Sequence, residues 1–328
     1  MKLNKTILVT GGAGFIGSHV VKRFVTQYPS YHILNLDKLT YCGDQENLKE
    51  ISLAKNYTFI LGDICDNKLL KNIFEEYSPE AIIHLAAESH VDNSITNPNI
   101  FVETNVIGTC NLLNMAVKYG VERFYHVSTD EVYGDLKLNE EPFIETTPYE
   151  PKSPYSASKA ASDHFVRAYG NTYGINYVIS NCSNNYGPNQ YPEKLVPKVI
   201  ECILNKKPIP VYGDGKNIRD WLYVEDHVKA IDLIFHEGIS GETYNVGGDC
   251  EKTNIDLIRS LCDEIDFILD NNNSSTELIE FVTDRKGHDF RYAVNSDKLQ
   301  KELGWEPETS FKLGIKETIN WYIKKFKI

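Results

Sequence analysis

The sequence has no paired cysteines. Seven cysteines are scattered over 328 residues and none stands in a C-x-x-C pair, which removes the usual zinc and dithiol patterns. Cys110, Cys182, Cys202 and Cys262 lie in apolar surroundings that suit buried thiols, and the odd count fits a reducing, cytoplasmic setting. Positive charge is also scarce. Thirty-four Lys and Arg face 46 Asp and Glu, for a net charge of −12, so neither nucleic acid nor an anionic membrane is an expected partner. No apolar run approaches the roughly 20 residues that span a bilayer. The segment "KTILVT" is too short for a secretory leader and runs straight into glycines. Internal repeats are absent, and the only low-complexity patch, "DNNNSS" at 270–275, reads as a loop.

What is present is ordinary for a folded protein: 41% hydrophobic and 24% charged residues, in a length that suggests about two domains. Short β-branched runs alternate with longer amphipathic stretches. "TILVT" (6–10), "HILNLD" (32–37), "YTFILGD" (57–63), "AIIHLAA" (81–87), "RFYHVST" (123–129) and "NYVISN" (176–181) read as strands covered on both faces. "SHVVKRFVTQY" and "NVIGTCNLLNMAVKYG" (105–120) read as helices between them. Repeated βα units predict an α/β fold with a Rossmann-type, doubly wound parallel sheet. After residue 180, prolines at 188, 192, 197, 208 and 210 mark a smaller lobe. A strand at "TYNVGG" (243–248) returns to the sheet, so the lobes interleave. The expected division is 1–180 with about 220–250 for the dinucleotide, and 181–219 with 251–328 for a substrate.

"VTGGAGFIGSHVV" follows the first strand and opens a helix. Gly12, Gly14 and Gly17 fit G-x-G-x-x-G, and Gly11, Gly14 and Gly17 fit G-x-x-G-x-x-G. A Cβ in such a turn blocks the approach of a pyrophosphate to backbone N–H groups at the positive end of the helix. Asp37 stands 20 residues past Gly17 at a strand end, where a carboxylate bonds ribose hydroxyls and repels a 2′-phosphate. NAD is therefore expected over NADP, tempered slightly by the adjacent Lys38. Asp63, ending the third strand, is either an adenine contact or a loop cap.

In "PYSASKAASDHFVRAY", Tyr155 and Lys159 stand four apart at a predicted helix start and share a face. A tyrosine with a pKa near 10 is too weakly acidic to serve as a base at neutral pH, and a nearby ammonium lowers it. Y-x-x-x-K is common on helix surfaces, so the pair gains meaning only beside a dinucleotide fold and the strand-end Thr129. Two acids, Asp130 and Glu131, follow Thr129. On a continuing strand they would point to opposite faces. A turn just after Thr129 is predicted if both are to serve one pocket; otherwise they form a solvated acidic loop.

The glycine turn, Thr129 and Tyr155-x-x-x-Lys159 resemble the extended short-chain dehydrogenase/reductase family. The triplet Thr129-Asp130-Glu131 resembles its nucleotide-sugar 4,6-dehydratases. "DKLTY" (37–41), "HLAAESHVDNSI" (84–95), "NCSNNYGPNQYPEKLVP" (181–197), "GDGKNIRDWLYVEDH" (213–227), "YNVGG" (244–248) and "DRKGHDFRYA" (284–293) extend the likeness over nearly the whole chain. The resemblance implies oxidation at sugar carbon 4 by NAD with Tyr155 as base, loss of water across carbons 5 and 6, and return of hydride to carbon 6. It gives Glu131 the carbon 5 proton, Asp130 the departing hydroxyl, Thr129 the carbon 4 oxygen and Lys159 a contact to the nicotinamide ribose. Such an acid and base must coexist in opposite protonation states, which burial and mutual repulsion can supply.

By the same resemblance NAD contacts Gly11, Gly14, Phe15, Ile16, Gly17, Asp37, Lys38, Leu39, Thr40, Asp63, Ile64, Leu85, Ala86, Ala87, Ser89, Thr104, Tyr155, Lys159 and Asn185. The nucleotide sugar contacts Ser89, Thr129, Asn184, Lys194, Leu195, Pro210, Val211, Tyr212, Arg219, Asn254, Asp284, Arg285 and His288. Arg219 and Arg285 suit phosphate, a lone arginine of this kind being otherwise a surface ion pair. Lys286 stands where many members have proline, and no metal site is expected, His90 and His227 being structural. The motif spelling is nearer the members that take dTDP-glucose than those that take UDP-glucose, although one methyl separates the bases. A 4-epimerase, a nucleotide-sugar decarboxylase and a non-catalytic NAD-binding scaffold are the competing readings. The first two give Asp130 no task, and the retained catalytic side chains speak against the third. A homodimer is implied through a four-helix bundle of the Tyr155 helix and the helix near 100–119, where Val106, Leu112, Leu113 and Val117 serve core or partner equally well.

Overall fold

The computed structural model describes residues 3–271, 273–284 and 287–326. Its strands are β1 (Lys5–Thr10), β2 (Tyr31–Asp37), β3 (Tyr57–Leu61), β4 (Ala81–His84), β5 (Arg123–Thr129), β6 (Tyr177–Cys182), β7 (Asn184–Tyr186), β8 (Ile209–Tyr212), β9 (Ile218–Tyr223), β10 (Thr243–Val246), β11 (Glu251–Thr253), β12 (Ile279–Val282) and β13 (Arg291–Tyr292). Seven of them form one parallel sheet in the order β10-β6-β5-β4-β1-β2-β3. The winding reverses between β1 and β4, and that reversal leaves a crevice at the carboxyl ends of both strands.

Alternation along the strands explains why their apolar runs are unbroken. Ile7, Val9, Ile33, Ile83, Tyr125 and Val178 pack into one core, whereas Leu8, Leu34, Ile82, Phe124 and Ile179 pack into another on the opposite face. Each strand therefore needs apolar residues at both parities. On the first face lie the helices Phe15–Gln27 and Val224–Glu237, packed side by side. On the other are Asn67–Tyr77, Thr109–Tyr119 and Pro154–Tyr173. The last of these starts with a reciprocal cap, Ser153 and Ser156 each bonding the other's backbone N–H, followed by Pro154 in the first turn.

"AIIHLAA" pairs only as far as His84. Beyond it the chain leaves the ladder as β1 ends at Thr10, and Leu85–Ala87 border the crevice instead. The stretch Pro98–Tyr119 is one continuous helical run of 22 residues, apolar enough by length and composition to cross a membrane, yet half of its apolar window is packed inside the fold. Reading runs of consecutive apolar residues misses it because Glu103, Thr104 and Asn105 interrupt them. Its middle, Val102–Gly108, is a π-helix, a local widening common beside functional sites. Leu112 and Leu113 serve the core, whereas Val117 is exposed.

A third core joins Tyr186, Val196, Ile200, Val211, Trp221, Leu257, Leu261, Ile315 and Ile319. β9 links this core to the first one, with Trp221 and Tyr223 in the third and Leu222 in the first. Leu299 and Trp305 also pack in the first core, so the chain crosses between cores more than once.

Candidate active site

The crevice at the winding reversal is a cleft of about 330 Å³. Its floor is the glycine turn. Gly11 has φ of +74°, and a Cβ there would lie 2.6 Å from the Ala86 nitrogen. A Cβ on Gly17 would lie 2.1 Å from the Gly11 carbonyl oxygen, so the turn closes onto the helix only with glycine at both positions. Gly14 caps the helix Phe15–Gln27 without any side-chain bond to its first N–H groups. These exposed donors, unobstructed by side chains, fit a pyrophosphate.

Asp37 ends β2 and accepts hydrogen bonds from the Ala13 and Leu39 N–H groups, both at 2.8 Å. Each oxygen keeps a lone pair for a ribose hydroxyl. Lys38 turns away to Asp63 at 2.6 Å, and burial notwithstanding, that ammonium holds the Asp63 carboxyl below its ordinary range. The cation beside Asp37 is thus already engaged. Asp63 Oδ1 also accepts from the Cys65 N–H, so Asp63 is a loop cap in addition to a cleft residue. Every cofactor residue expected from the sequence lines this cleft except Leu39, which holds Asp37 through its N–H.

At the other end of the cleft β5 stops at Thr129, and Asp130–Tyr133 turn in a 3₁₀ helix. The Thr129 hydroxyl caps this turn by accepting from the Glu131 N–H and donates to Asp130 Oδ1, both at 3.3 Å. The predicted turn is therefore present, and Thr129, Asp130, Glu131, Tyr155 and Lys159 line one cleft. Asp130 is 2% exposed and its Oδ2 has no hydrogen-bond partner among the described residues. Burial first, then the charges of Glu131 and Asp220, push its carboxyl well above the usual carboxylate range, with Arg219 and Thr129 pulling the other way. A buried carboxyl whose proton is held in this way can serve as a proton donor.

Tyr155 departs from expectation. Lys159 donates its Nζ to the Val127 carbonyl at 2.9 Å, and burial, then Glu131, push the phenol well above its ordinary value. Desolvation of the anion leads, and the hydrogen bond with the Thr129 hydroxyl is what pulls the other way. Lys159 itself is lowered by burial, with Asp163 pulling it back up.

The substrate residues divide. Ser89, Thr129, Asn184 and Lys194 line the cleft, and Lys194 donates to the Ser89 carbonyl at 2.8 Å. Leu195, Pro210, Val211, Tyr212, Arg219, Asn254, Asp284 and His288 do not. Val211 has its side chain in the third core. Tyr212, Asp284 and His288 form a cluster of their own: His288 bonds Asp284 at 2.7 Å, and its ring meets Tyr212 edge-on. Tyr212 in turn donates to Asp92. Arg219, expected to meet phosphate, is 5% exposed, donates to the carbonyls of Ile218, Asp289 and Phe290, and lies 4.3 Å over the Tyr292 ring. Pairing of β13 beside β9 brings those carbonyls within its reach. Arg285 and Lys286 lie outside the described residues. His227 is buried and pushed down to about 3, a neutral ring whose Nδ1 pairs with Asn185 Oδ1 at 2.9 Å. Among the described residues no cluster of metal-ligating side chains is found.

Sequence reading missed two buried residues. Asn105, in the π-helix, bonds both backbone groups of Glu88 and the Ser158 hydroxyl, tying the cleft wall to the Tyr155 helix. Its signal is an amide in an otherwise apolar helical stripe. Asp163 lies one helical turn past Lys159 and is fully buried. Its signal is the same i, i+4 spacing that singled out Tyr155 and Lys159.

Fold and cleft define the class, an extended short-chain dehydrogenase/reductase. Within it the chain belongs to the nucleotide-sugar 4,6-dehydratase family: the family model described as GDP-mannose 4,6 dehydratase matches residues 8–318. The chain is 51% identical to the dTDP-glucose 4,6-dehydratase of Salmonella typhimurium over 97% of its own length and 92% of the relative's. Two solved structures are similar throughout. One is the dTDP-glucose 4,6-dehydratase of Streptomyces venezuelae with NAD bound, at TM-score 0.93 and 44% identity, covering 98% of both chains. The other is the Bacillus anthracis enzyme in complex with NAD, at TM-score 0.89 and 45% identity, covering 99% of this chain and 98% of that one.

Proposed function

We propose that the protein dehydrates dTDP-glucose to dTDP-4-keto-6-deoxyglucose, a carbon–oxygen lyase reaction with NAD held in the cleft. The observation that carries the reading is Asp130, a buried carboxyl with a raised pKa next to a second acid at the end of β5. NAD bound along the glycine turn supplies the hydride acceptor for carbon 4 and the donor for carbon 6, and its cationic ring opposes the upward push on Tyr155.

Tyr155 takes the proton from the carbon 4 hydroxyl, with Thr129 holding that oxygen and Lys159 stabilising the phenolate. The new ketone acidifies the hydrogen on carbon 5, and Glu131 removes it. Asp130 gives its proton to the carbon 6 hydroxyl as it leaves as water. Glu131 then returns a proton to carbon 5. Glycine turn, Asp37, Asp63 and Asn185 hold the dinucleotide, and Asp37 disfavours a 2′-phosphate. Ser89, Asn184 and Lys194 receive the sugar nucleotide from the cleft side. Arg219, Arg285, Asn254 and the Tyr212–Asp284–His288 cluster receive it from the smaller lobe, where Arg219 must exchange backbone carbonyls for phosphate.

Incubation with dTDP-glucose should yield a 4-keto sugar that absorbs in alkali; a galactose isomer without a ketone would make the protein a 4-epimerase. Parallel rates with UDP-glucose assign the base, since a buried methyl is worth only about 1 kcal/mol. We place the protein in the cytoplasm, in keeping with seven free cysteines. We also propose a homodimer through a four-helix bundle, supported by exposed Val102, Ile107 and Val117 on one helical run and Phe165 and Tyr173 on the Tyr155 helix.

A further inference from the structure

Beneath Lys159 the helix Pro154–Tyr173 carries a second charge that the reaction scheme does not use. Asp163 is one turn beyond Lys159, on the same helix face, and no part of it reaches solvent. Its Oδ2 accepts hydrogen bonds from the Ser128 and Tyr149 hydroxyls, each at 2.9 Å. Its Oδ1 lies 3.2 Å from His126 Nε2. His126 is pushed down to about 4, by burial and then by Lys159, so at neutral pH it is an uncharged ring and does not neutralise the carboxylate.

Lys159 and Asp163 are tied to consecutive residues of one strand. Lys159 Nζ donates to the Val127 carbonyl, and Ser128 Oγ donates to Asp163. β5 therefore anchors the Lys159 ammonium and the Asp163 carboxyl at neighbouring positions of a buried layer, without a direct ion pair between them. A buried ammonium without a counter-charge tends to lose its proton. We propose that Asp163 is a positioning residue for the oxidation step, the buried counter-ion that keeps Lys159 an ammonium beside Tyr155.

The other charged and titratable groups around this pair do not supply that negative charge. From the same helix come Tyr155 and Arg167, the latter donating to the Tyr149 and Thr243 hydroxyls. β4 presents His84, bonded to Thr10 and Thr109 and kept neutral by burial. β5 presents His126, and β6 presents Cys182, whose thiol burial pushes up to about 12. The segment before the helix presents Tyr149, and burial raises its phenol far above its ordinary value. Past the end of β5, Asp130 is the raised carboxyl described above, and the charge of Glu131 acts on the Tyr155 and Tyr292 phenols. Among the described residues of the layer Asp163 is the carboxyl held below its ordinary range: burial works against this, and His126 first, then Lys159 and Arg167, bring it about. Removal of its charge leaves Lys159 more readily deprotonated, so the alkaline limb of the oxidation step moves to lower pH.

This inference rests on the role given to Lys159 under the proposed function, and the test separates the two. Asp130 titrates as well, so all rates are read in an Asp130→Asn background, where elimination stalls and single-turnover formation of enzyme-bound NADH from dTDP-glucose reports the carbon 4 oxidation alone. Asp163→Asn should move the alkaline limb of that step down by about one pH unit, which slows the step about tenfold at pH values above both limbs, one unit there being a tenfold change in the charged fraction. NAD content and the half-saturating sugar nucleotide concentration should stay within about twofold, the pair acting on proton transfer and not on binding. With Lys159→Met also present, Asp163→Asn should cost less than about threefold more, as expected for residues that act through one another. Asp163→Glu keeps the charge on a longer arm. It should retain the original alkaline limb even if its rate is lower, and it carries the test if the asparagine variant does not fold. An unchanged limb in Asp163→Asn, a displaced limb in Asp163→Glu, or an equal cost of Asp163→Asn with and without Lys159 would overturn the inference. An Lys159→Met protein that oxidises at the original rate would instead overturn the role of Lys159.

Discussion

Asp130 shows how one side chain is given a task its free pKa would forbid. Its folded-state pKa is raised, so relative to the unfolded chain it contributes stability only below the ordinary carboxyl range of about 4. That contribution is lost as pH rises through the folded value, and at neutral pH the acid is a net cost. Asp130→Asn should therefore unfold at an equal or higher temperature than the parent near pH 7, with the advantage fading as the pH falls toward 4. The same change should lower kcat by about 10² to 10⁴, the usual worth of a general acid. Thermal unfolding across pH and steady-state rates check the two halves. A variant both inactive and markedly less stable at neutral pH would contradict the account of Asp130. The same residue shows what sequence alone can carry. Adjacent acids after Thr129 announce the chemistry, but whether they turn into one pocket depends on where β5 stops, and the protonation of Asp130 depends on its burial and on charges that include Asp220 and Arg219, some ninety positions on.

Elements explain the rest of the site. The glycine turn was legible because the chemistry of close approach leaves one residue type. Gly17→Ala puts a methyl where the Gly11 carbonyl stands, at 2.1 Å, and the purified variant should carry little or no NAD, read from the absorbance and release of nucleotide. The π-helix Val102–Gly108 was not legible, since no residue type in it marks where the hydrogen-bond ladder widens. Its product is Asn105, which closes the backbone of Glu88 as a paired strand would. Asn105→Ala leaves a buried N–H and a buried carbonyl unpaired and should cost about 1–3 kcal/mol in denaturant unfolding, with weaker retention of NAD because Leu85–Ser89 form the cleft wall. The inward turn of Arg219 was likewise hidden, because its partners are backbone carbonyls brought in by β13, and a backbone partner leaves no trace in residue identity.

At the scale of the molecule, the parallel, doubly wound sheet follows from the alternation of βα units, and two-sided burial follows from the unbroken apolar strands. Which exposed apolar residues meet a second copy does not follow, since core and partner ask for the same side chains. Leu112 and Leu113 went to the core, while Ile107 and Phe165 remain outside. Replacement of both exposed residues, Ile107→Asp with Phe165→Asp, should give a folded monomer in sedimentation velocity, where the proposed bundle makes the parent a dimer. A parent that sediments as a monomer would remove the proposed bundle. The central claim is that one cleft oxidises carbon 4, expels water from carbons 5 and 6, and returns the same hydride to carbon 6. Conversion of dTDP-glucose carrying deuterium at carbon 4 tests it most directly. The account predicts a 4-keto-6-deoxy product with the deuterium on carbon 6, seen by NMR; deuterium still on carbon 4 of an epimer, or lost to water, would contradict it.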